Sequence, residues 1–554
     1  MLKVVGASWL QTRISTYLLI GVAILGIGAI IFGEFGHVEH DGTYAATAFW
    51  RQNIHQFEFW GQGNDLSTIP MGAARAYYKS AIPETGWSIL EIETSKDYPD
   101  EVQAYAAGCL EGSLTWQLIY QHWYNTVRAA CAPRSALCVK MRKYLRENSE
   151  KAIENAQLLK DEDPYWHLVN LFYRQLRGLE AGWKLAVNKI HQSVEIETED
   201  FLWMAMASDL PDLERAHNGS ENLAGSYGMI FLKALQREHF EPLIALVHNT
   251  GAPYTKMLRL IKRYKFAYHM SSKKGAELVP SNSVVMTSYP GALSSQDESY
   301  IVSGKERELI VAGTPLTISN RKLWNRLSTK EHVMSPATIM AANFLSTNSD
   351  NWSNVMTLKN SGTANRQWVI FEPQKNIVRL FEQIPGITES IDYTKKFMEM
   401  GFLVCTGVPI IQEIKDYANF ELAEAVLRAT EVEKHQKNMT TVEDVRKLMR
   451  GCRHEVESIT DENEDFKCNW NFSEQQLFSY RGDLDDKSRP VGVIDSKIFL
   501  SDLDGLDAFE ATSGPAFLNF NQAFNWSNSF PNISHVGQPN IFQFDSVSPK
   551  WVWI

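Results

Sequence analysis

The sequence predicts an α+β fold, because a helical pattern in the first part of the chain gives way to paired short strands. Apolar residues recur at helical spacing over residues 99–123 and again over 164–191, within a mostly helical region from about 45 to 224. After Ser226 the chain changes to short apolar runs separated by turn residues. Helices followed by strand pairs, with further helices between the pairs, favour an α+β fold with layered sheets.

The expected strands come in pairs along the second part of the chain. They lie at 227–235 with 243–247, at 283–288, at 300–303 with 308–312, and at 367–372 with 377–381. Helices are expected between them, at 254–268, 332–345 and 422–433. The most polar stretch, 440–486, has the composition of a loop.

The N-terminal end carries an uncharged apolar run over residues 17–32, with Lys3 and Arg13 before it and Glu34 after it. The run is short for a membrane-spanning helix, but its length and its basic flank suit a secretory signal. Two readings stay open: a signal peptide within residues 1–36 that is removed, or an uncleaved anchor that leaves a type II membrane protein. Both predict the secretory pathway, ending in the lysosome or outside the cell.

Glycosylation sequons and cysteines agree with a lumenal location. Six Asn-x-Ser/Thr sequons stand at Asn218, Asn351, Asn438, Asn471, Asn525 and Asn532. The cysteine spacing predicts two local disulfides, Cys131 with Cys138 and Cys452 with Cys468, and leaves Cys109 and Cys405 buried and free. No spacing of cysteine or histidine is typical of a zinc site, so no metal is expected.

The net charge of the chain indicates which classes of partner it can bind. The 554 residues carry a net charge of −11, and a chain this acidic without a concentrated basic patch argues against a nucleic-acid partner. The basic segment from Arg259 to Lys265 is the main exception. Its apolar residues fit an amphipathic helix with a solvated basic face, and contact with a membrane surface is a secondary alternative.

Gly225 and Ser226 stand at the head of the first expected strand pair. If the chain is cut between them, one residue presents both a hydroxyl nucleophile and a free α-amine. The α-amine titrates near pH 8, so it can accept the proton of its own hydroxyl near neutral pH. This is the logic of an N-terminal-nucleophile hydrolase. The alternative is an ordinary Gly-Ser turn before a strand.

Short motifs from Gly86 to the C-terminus carry a family resemblance. In order they are Gly86-Trp-Ser-Ile-Leu-Glu-Ile-Glu-Thr-Ser95, Gln103-Ala-Tyr-Ala-Ala-Gly108, Glu111-Gly-Ser113, Tyr165-Trp-His167, Leu176-Arg-Gly-Leu-Glu180, Val247-His-Asn-Thr250, Thr287-Ser-Tyr-Pro-Gly291, Asn360-Ser-Gly-Thr-Ala-Asn365, Gln367-Trp368, Glu382-Gln-Ile-Pro-Gly386, Arg481-Gly-Asp-Leu484 and Gly537-Gln-Pro539. On these motifs the chain resembles the phospholipase B-like family.

The resemblance implies an N-terminal-nucleophile hydrolase-like αββα sandwich. In it a helical fragment, 37–225, and a nucleophile-bearing fragment, 226–554, together form one unit. Members of the family are lysosomal or secreted glycoproteins, and internal cleavage exposes a cysteine at the start of their larger fragment. Ser226 stands at the position of that cysteine. A hydroxyl is less acidic and less nucleophilic than a thiol, so the chemistry is retained in a weaker form.

The resemblance also carries over the first part of a candidate site. His248 corresponds to the family histidine and is expected to contact the amine or hydroxyl of Ser226; the alternative is a hydrogen-bonded histidine at a strand end. Asn249 and Thr250 are expected to hold that strand end or to contact the nucleophile, with helix capping as the alternative. Gly251 replaces the family tryptophan, which changes a wall that would face substrate.

A second group of site residues lies further along the chain. The turn from Asn360 to Asn365 is expected to aim amide donors at an oxyanion, with a plain Asn/Gly turn as the alternative. Arg366 replaces a small amide of the family, so the polarity of the pocket differs. Arg481 resembles a family arginine that would orient a carbonyl or bind phosphate; the alternative is a solvated surface arginine.

Two functions follow. The first is hydrolysis of an ester or amide bond in a (phospho)lipid or N-acyl amide, after cleavage before Ser226 and without metal or organic cofactor. The second is a catalytically inactive member that serves as a secreted or lysosomal binding or developmental glycoprotein. The expected partner is thus a lipid or N-acyl amide and no nucleic acid. The oligomeric state stays open, a homodimer included.

Overall fold

The computed structural model of the chain describes residues 42–62, 66, 69–190, 194–218, 228–305, 307–316, 318–419, 423–451, 472–502, 509–518 and 523–553. The apolar run at 17–32, the Gly225–Ser226 bond, and the expected pair Cys452 and Cys468 lie outside the described residues.

Eighteen strands run through the described residues. They are β1 Thr43–Arg51, β2 Gln56–Gln62, β3 Ala74–Lys79, β4 Ser88–Thr94, β5 Met229–Arg237, β6 Phe240–Pro253, β7 Leu260–Lys265, β8 Ser281–Ser288, β9 Ser299–Gly304, β10 Arg307–Pro315, β11 Arg366–Glu372, β12 Ile377–Ile384, β13 Ile387–Asp392, β14 Phe402–Cys405, β15 Val491–Leu500, β16 Phe509–Ser513, β17 Phe524–Asn525 and β18 Ile541–Phe542.

The α-helices alternate with these strands in two groups. They are α1 Ile82–Thr85, α2 Asp100–Leu114, α3 Trp116–Trp123, α4 Ala129–Cys131, α5 Ser135–Leu159, α6 Pro164–Lys189, α7 Thr198–Ala205, α8 Leu210–Asn218, α9 Ser335–Leu345, α10 Ser349–Thr357, α11 Thr394–Met400, α12 Gln412–Ala418, α13 Ala423–His435, α14 Val442–Arg450, α15 Phe472–Phe478 and α16 Trp526–Ser529. A π turn at Tyr124–Arg128 and short 3₁₀ turns, including Tyr254–Lys256, connect some of them.

The strands form two large sheets. The first has eleven strands in the order β13-β12-β11-β10-β9-β8-β7-β4-β3-β1-β2, and the second has five in the order β14-β5-β6-β15-β16. β17 and β18 form a small separate ribbon. β4 and β7 run parallel, whereas β1 and β2, β3 and β4, the successive strands from β7 to β13, and the neighbours within the five-stranded sheet are antiparallel. The expected pairs β5 with β6, β9 with β10 and β11 with β12 are confirmed.

Three hydrophobic cores fix the order of the layers. Helices α2 and α9 pack on one face of the eleven-stranded sheet, α6 packs on both of them and α5 packs on α6. Leu168 of α6 and Met286 of β8 belong to the same core. The other face of that sheet packs on the five-stranded sheet, with Leu246 in the same core as Val369. The far face of the five-stranded sheet is covered by α13, α14 and α15, where Val247 joins Leu448. The mixed helix and sheet class is confirmed.

The long helices α2 and α6 confirm the two expected amphipathic helices, and four glycines let them pack backbone against backbone. A Cβ on Gly108 would lie 2.0 Å from the carbonyl oxygen of Gln175, and one on Gly182 would lie 2.0 Å from that of Cys109. Gly112 and Gly178 are equally crowded. No larger residue fits at these positions without separating the helices, because packed interiors leave no slack.

The expectation of a mostly helical region from residue 45 is wrong before Asp100, where β1 to β4 form two antiparallel pairs. Their acidic side chains obscured the strand pattern. Glu91 and Glu93 are buried in β4, and each is neutralised by a cation from elsewhere in the chain, for example Glu93 by Arg75 at 2.7 Å. A buried carboxylate that is paired in this way looks like a solvated residue in the sequence.

The expected amphipathic helix over 254–268 with a solvated basic face is also wrong. Leu260–Lys265 is β7, a central strand, and Arg259, Lys262 and Arg263 are all buried. Lys262 pairs with Glu111 at 2.7 Å and Arg263 pairs with Glu91 at 2.5 Å. These acids lie more than 100 residues away in sequence, so the local pattern could not show that the charges are compensated.

The cysteines follow the expectation where the structure describes them. Cys131 and Cys138 form a disulfide with their Cα atoms 5.7 Å apart. Cys109 and Cys405 are free and buried. No helix within the described ranges is both long and apolar enough to cross a membrane.

Candidate functional site

A polar pocket lies where the start of β5 meets β6, the end of β10, the start of β11 and helix α8. It brings together Gly228, His248, Asn249, Asn365 and Arg366. The rest of its lining comprises Ala207, Ser208, Pro211, Asp212, Arg215, Thr250, Gly251, Ala252, Pro253, Lys256, Tyr289, Gln296, Asp297, Gly313, Pro315 and Ala364. His248, Asn249 and Asn365, all predicted as catalytic, therefore share one pocket, although Asn365 lies more than 100 positions after the other two.

His248 is held as a neutral imidazole in this pocket. Its Nε2 lies 3.0 Å from the carbonyl oxygen of Gly313, and because a carbonyl only accepts, Nε2 carries the hydrogen. Burial, and then the nearby Lys497, lowers the pKa of His248 well below its usual value. Nδ1 is buried and has no hydrogen-bond partner among the described residues. It therefore keeps a lone pair that can accept a hydrogen bond.

Asn249 lies on the same strand, but its side chain turns to the opposite face, as alternation along a strand requires. Its amide donates to the carbonyl oxygens of Phe478, at 3.0 Å, and Met449, at 3.5 Å. Its main chain approaches the start of β5: a Cβ on Gly228 would lie 3.1 Å from the Asn249 carbonyl oxygen. Asn249 thus holds the strand against the outer helices.

Asn365 is fixed by a carboxylate of α8. Asp212 accepts from both the backbone N–H and the side-chain amide of Asn365, each at 2.8 Å. The same amide also donates to the Gly362 carbonyl at 3.2 Å, so both of its hydrogens are engaged. The Asn365 Oδ1 is buried without a hydrogen-bond partner in the described part of the chain. In this arrangement Asn365 offers an acceptor to the pocket.

Asn360 and Arg481 lie outside the pocket. Asn360 donates to the Ile384 carbonyl at 2.9 Å and accepts from Gly362 at 3.0 Å, so it shapes its own turn. Arg481 is buried and pairs with Asp483, whose carboxylate also accepts from Tyr254 at 2.8 Å. Both residues support the fold near the site, and neither reaches the cavity.

A buried charge network beneath the pocket was missed by the sequence analysis. Arg259 pairs with both Asp297 and Asp495. Lys497 donates to Asp495 and Thr250, each at 2.5 Å, and lies opposite His248 on the neighbouring strand. The available signal was Asp495 and Lys497 at alternate positions within an otherwise apolar run, a spacing that places both on one face of a strand.

The asparagines of the expected sequons differ in how exposed they are. Asn438 and Asn532 are exposed, whereas Asn351 and Asn525 are half-buried and bond nearby backbone N–H groups. The side chains of Asn218 and Asn471 lie outside the described residues. Glycosylation at these positions stays a prediction.

Comparison with known proteins decides the family. Residues 74–549 match the family model for phospholipase B. The chain belongs to the phospholipase B family. It is 32% identical to the phospholipase B-like lamina ancestor of Drosophila melanogaster, over 100% of both chains. It is 30% identical to phospholipase B-like 2 of Rattus norvegicus, over 87% of both, and 29% identical to that of Homo sapiens, over 87% of this chain and 86% of the human one. The resemblance predicted from the motifs is confirmed.

The family match covers the pocket of this phospholipase B family member. The Val247–Thr250 motif lies on β6, and the motif from Asn360 to Asn365 ends at the pocket wall. The two ends of the second motif differ: Asn365 lines the cavity, whereas Asn360 shapes the turn. Gly228, which directly precedes β5, also lines this pocket.

Proposed function

We propose that this phospholipase B family member hydrolyses an ester or amide bond of a phospholipid or N-acyl amide after cleavage between Gly225 and Ser226. One observation carries the proposal. Gly228, two residues after Ser226, lines the same pocket as His248, Asn365 and Arg366. Two residues of chain span at most about 7 Å. An N-terminal Ser226 therefore has the reach to work in this pocket, and a fold of the N-terminal-nucleophile αββα type is consistent with the layer order.

Cleavage would begin when the Ser226 hydroxyl attacks the carbonyl carbon of Gly225. The peptide C–N bond breaks, and the nitrogen leaves as the α-amine of Ser226, which takes up the hydroxyl proton. Water then hydrolyses the resulting ester, leaving a carboxylate on Gly225 and a free hydroxyl on Ser226. The products are a fragment that ends at Gly225 and the fragment 226–554, which together would form one unit.

Turnover would use the same two groups. The α-amine accepts the hydroxyl proton as Ser226 attacks the acyl carbonyl of the substrate, and it returns that proton to the departing alcohol or amine. Water then attacks the acyl-enzyme, and the acid is released. His248 can orient the amine or the attacking water through the lone pair on Nδ1, since its imidazole stays neutral.

The oxyanion that develops on the acyl oxygen needs donors, and the predicted amides of Asn249, Asn360 and Asn365 are already engaged. Arg366 lines the pocket, and its Nε lies 3.4 Å from Glu298 in a loose ion pair. We therefore assign the oxyanion role to Arg366. This residue replaces the small amide that the family resemblance implies at that position.

The test begins with protein expressed through a secretory pathway and exposed to acidic pH. We expect a fragment whose N-terminal sequence is Ser226-Tyr-Gly-Met, together with hydrolysis of a short-chain phospholipid. Ser226→Ala should abolish both, and Ser488→Ala, an exposed serine distant in sequence from the cleavage bond, should change neither.

An intact chain, or a cut elsewhere, would contradict the proposal, because Ser226 would never acquire its amine. So would correctly cleaved protein that hydrolyses no phospholipid, lysophospholipid or N-acyl amide. The engaged amides favour a second function in that event. The protein would then be a binding glycoprotein of the secretory pathway that keeps the family fold without its chemistry.

A further inference from the structure

Lys256 lies in the short 3₁₀ turn Tyr254–Lys256, between β6 and β7, and lines the same pocket as His248. Its Nζ lies over the ring of Tyr289, 6.0 Å from the ring centroid. Within the described ranges no carboxylate forms an ion pair with this ammonium group. The helix expected over 254–268 would have included Lys256, which lies instead in this turn.

The other charged residues of the lining are compensated. Arg215 pairs with Asp212 at 3.0 Å, and Arg366 pairs with Glu298 at 3.4 Å. Asp297 is neutralised by the buried Arg259. Among the described lining residues, Lys256 therefore accounts for the net positive charge of the pocket. Lys256 is half-buried, and a cation partly withdrawn from water is costly unless an anion joins it.

The electrostatic surroundings of Lys256 point the same way. Burial, and then the neighbouring guanidinium groups of Arg366 and Arg259, lowers the pKa of Lys256 to about 8. A pKa near 8 keeps the side chain charged at neutral and acidic pH. The neighbouring cations repel it, and an anion placed among them would relieve that repulsion.

We propose that Lys256 forms a subsite for the phosphate group of a phospholipid substrate, while Arg366 on the same pocket wall serves the acyl oxygen. Lysine serves as a point charge for phosphate. The turnover part of this inference rests on the proposed function, whereas the binding part does not. The same chemistry would bind free phosphate, and the experiment separates the two sources.

Binding is measured first, by calorimetry on full-length protein carrying Ser226→Ala, which keeps the ligand intact. The probes are inorganic phosphate and dihexanoylphosphatidylcholine below its micellar concentration. Lys256→Gln should weaken binding of both by about 10- to 100-fold, the range for a lost charged hydrogen bond. Lys256→Arg, which keeps the charge, should stay within about 3-fold of the parent. Lys395→Gln removes an exposed lysine and should change nothing.

Free phosphate and the lipid give distinct results. If inorganic phosphate binds through Lys256 but the phospholipid does not, the subsite belongs to free phosphate and its assignment to substrate is overturned. If Lys256→Gln binds both probes as tightly as the parent, or if Lys256→Arg is as weak as Lys256→Gln, no charge-based subsite exists.

Turnover is measured second, on cleaved protein with Ser226 intact. Lys256→Gln should raise KM about 10-fold or more for dihexanoylphosphatidylcholine and leave KM for dihexanoylglycerol, which lacks phosphate, unchanged. An equal rise for both substrates overturns the subsite. Absence of any hydrolysis in the parent contradicts the proposed function, while the binding results still decide the subsite.

Discussion

The buried pair Lys262 and Glu111 gives a quantitative prediction about stability. Their side chains are 0% and 1% exposed, and the Lys262 ammonium donates to Glu111 at 2.7 Å and to the carbonyls of Tyr289 and Ala292 at 2.9 and 2.6 Å. Lys262→Met keeps most of the aliphatic stem and removes all three bonds. Glu111 is then left with the Tyr264 hydroxyl as its donor.

The expected loss is about 4 kcal/mol in the free energy of unfolding, within the range for breaking one side of a buried ion pair. Equilibrium urea denaturation, followed by tryptophan fluorescence, measures it. Lys184→Met is the matched control, because Lys184 pairs with Glu180 at 2.6 Å on an exposed helix face and should lose about 0.5 kcal/mol or less.

A double variant, Lys262→Met with Glu111→Leu, should recover part of the loss, since no uncompensated carboxylate is then buried. A loss for Lys262→Met within about 1 kcal/mol of the Lys184→Met control would refute the reasoning. It would mean that Glu111 becomes solvated or protonated while the protein stays folded.

Two further predictions concern a covalent and a titratable group. Replacing Cys131 and Cys138 by alanine should lower the free energy of unfolding by about 2.5 kcal/mol, from a sequence separation of 7, as urea denaturation would show; an unchanged midpoint would contradict it. Burial raises the pKa of Glu382 to about 7 from 4.5, so its contribution to stability is complete below pH 4.5 and is lost as pH rises through 7, about 3 kcal/mol in all. Glu382→Gln should reduce the slope of the free energy of unfolding against pH between pH 4.5 and 7.5. The same slope in the variant and the parent would contradict the prediction.

Elements built from local apolar patterns could be predicted from the sequence. The hairpins β9–β10 and β11–β12 and the helices α2 and α6 carry their own periodicity, so composition and spacing were enough. β4 and β7 could not be recognised in the same way. Glu91, Lys262 and Arg263 are buried against partners more than 100 positions away, and only the assembled sheet makes those charges compatible with a core.

The candidate site shows the same division. The family resemblance pointed to His248 on β6 and to Asn365 in the turn before β11, and both residues line the pocket. The hydrogen-bond partners could not be predicted: Asp212 engages the Asn365 amide from another helix. Lys256 was missed because its turn was taken for part of a helix, and the charge balance of a pocket is a property of the whole fold.

The buried cations of β7 also determine what a cut chain becomes. Glu91 and Glu111 precede residues 219–227, whereas Lys262 and Arg263 follow them, and β4 and β7 are neighbours in one sheet. A break in that stretch therefore yields two polypeptides that complete each other's charge balance and share a continuous sheet. Separation would leave unpaired charges in the core of each piece and expose an open strand edge to water. The nicked protein would travel as a single particle, and its two pieces would part only on denaturation.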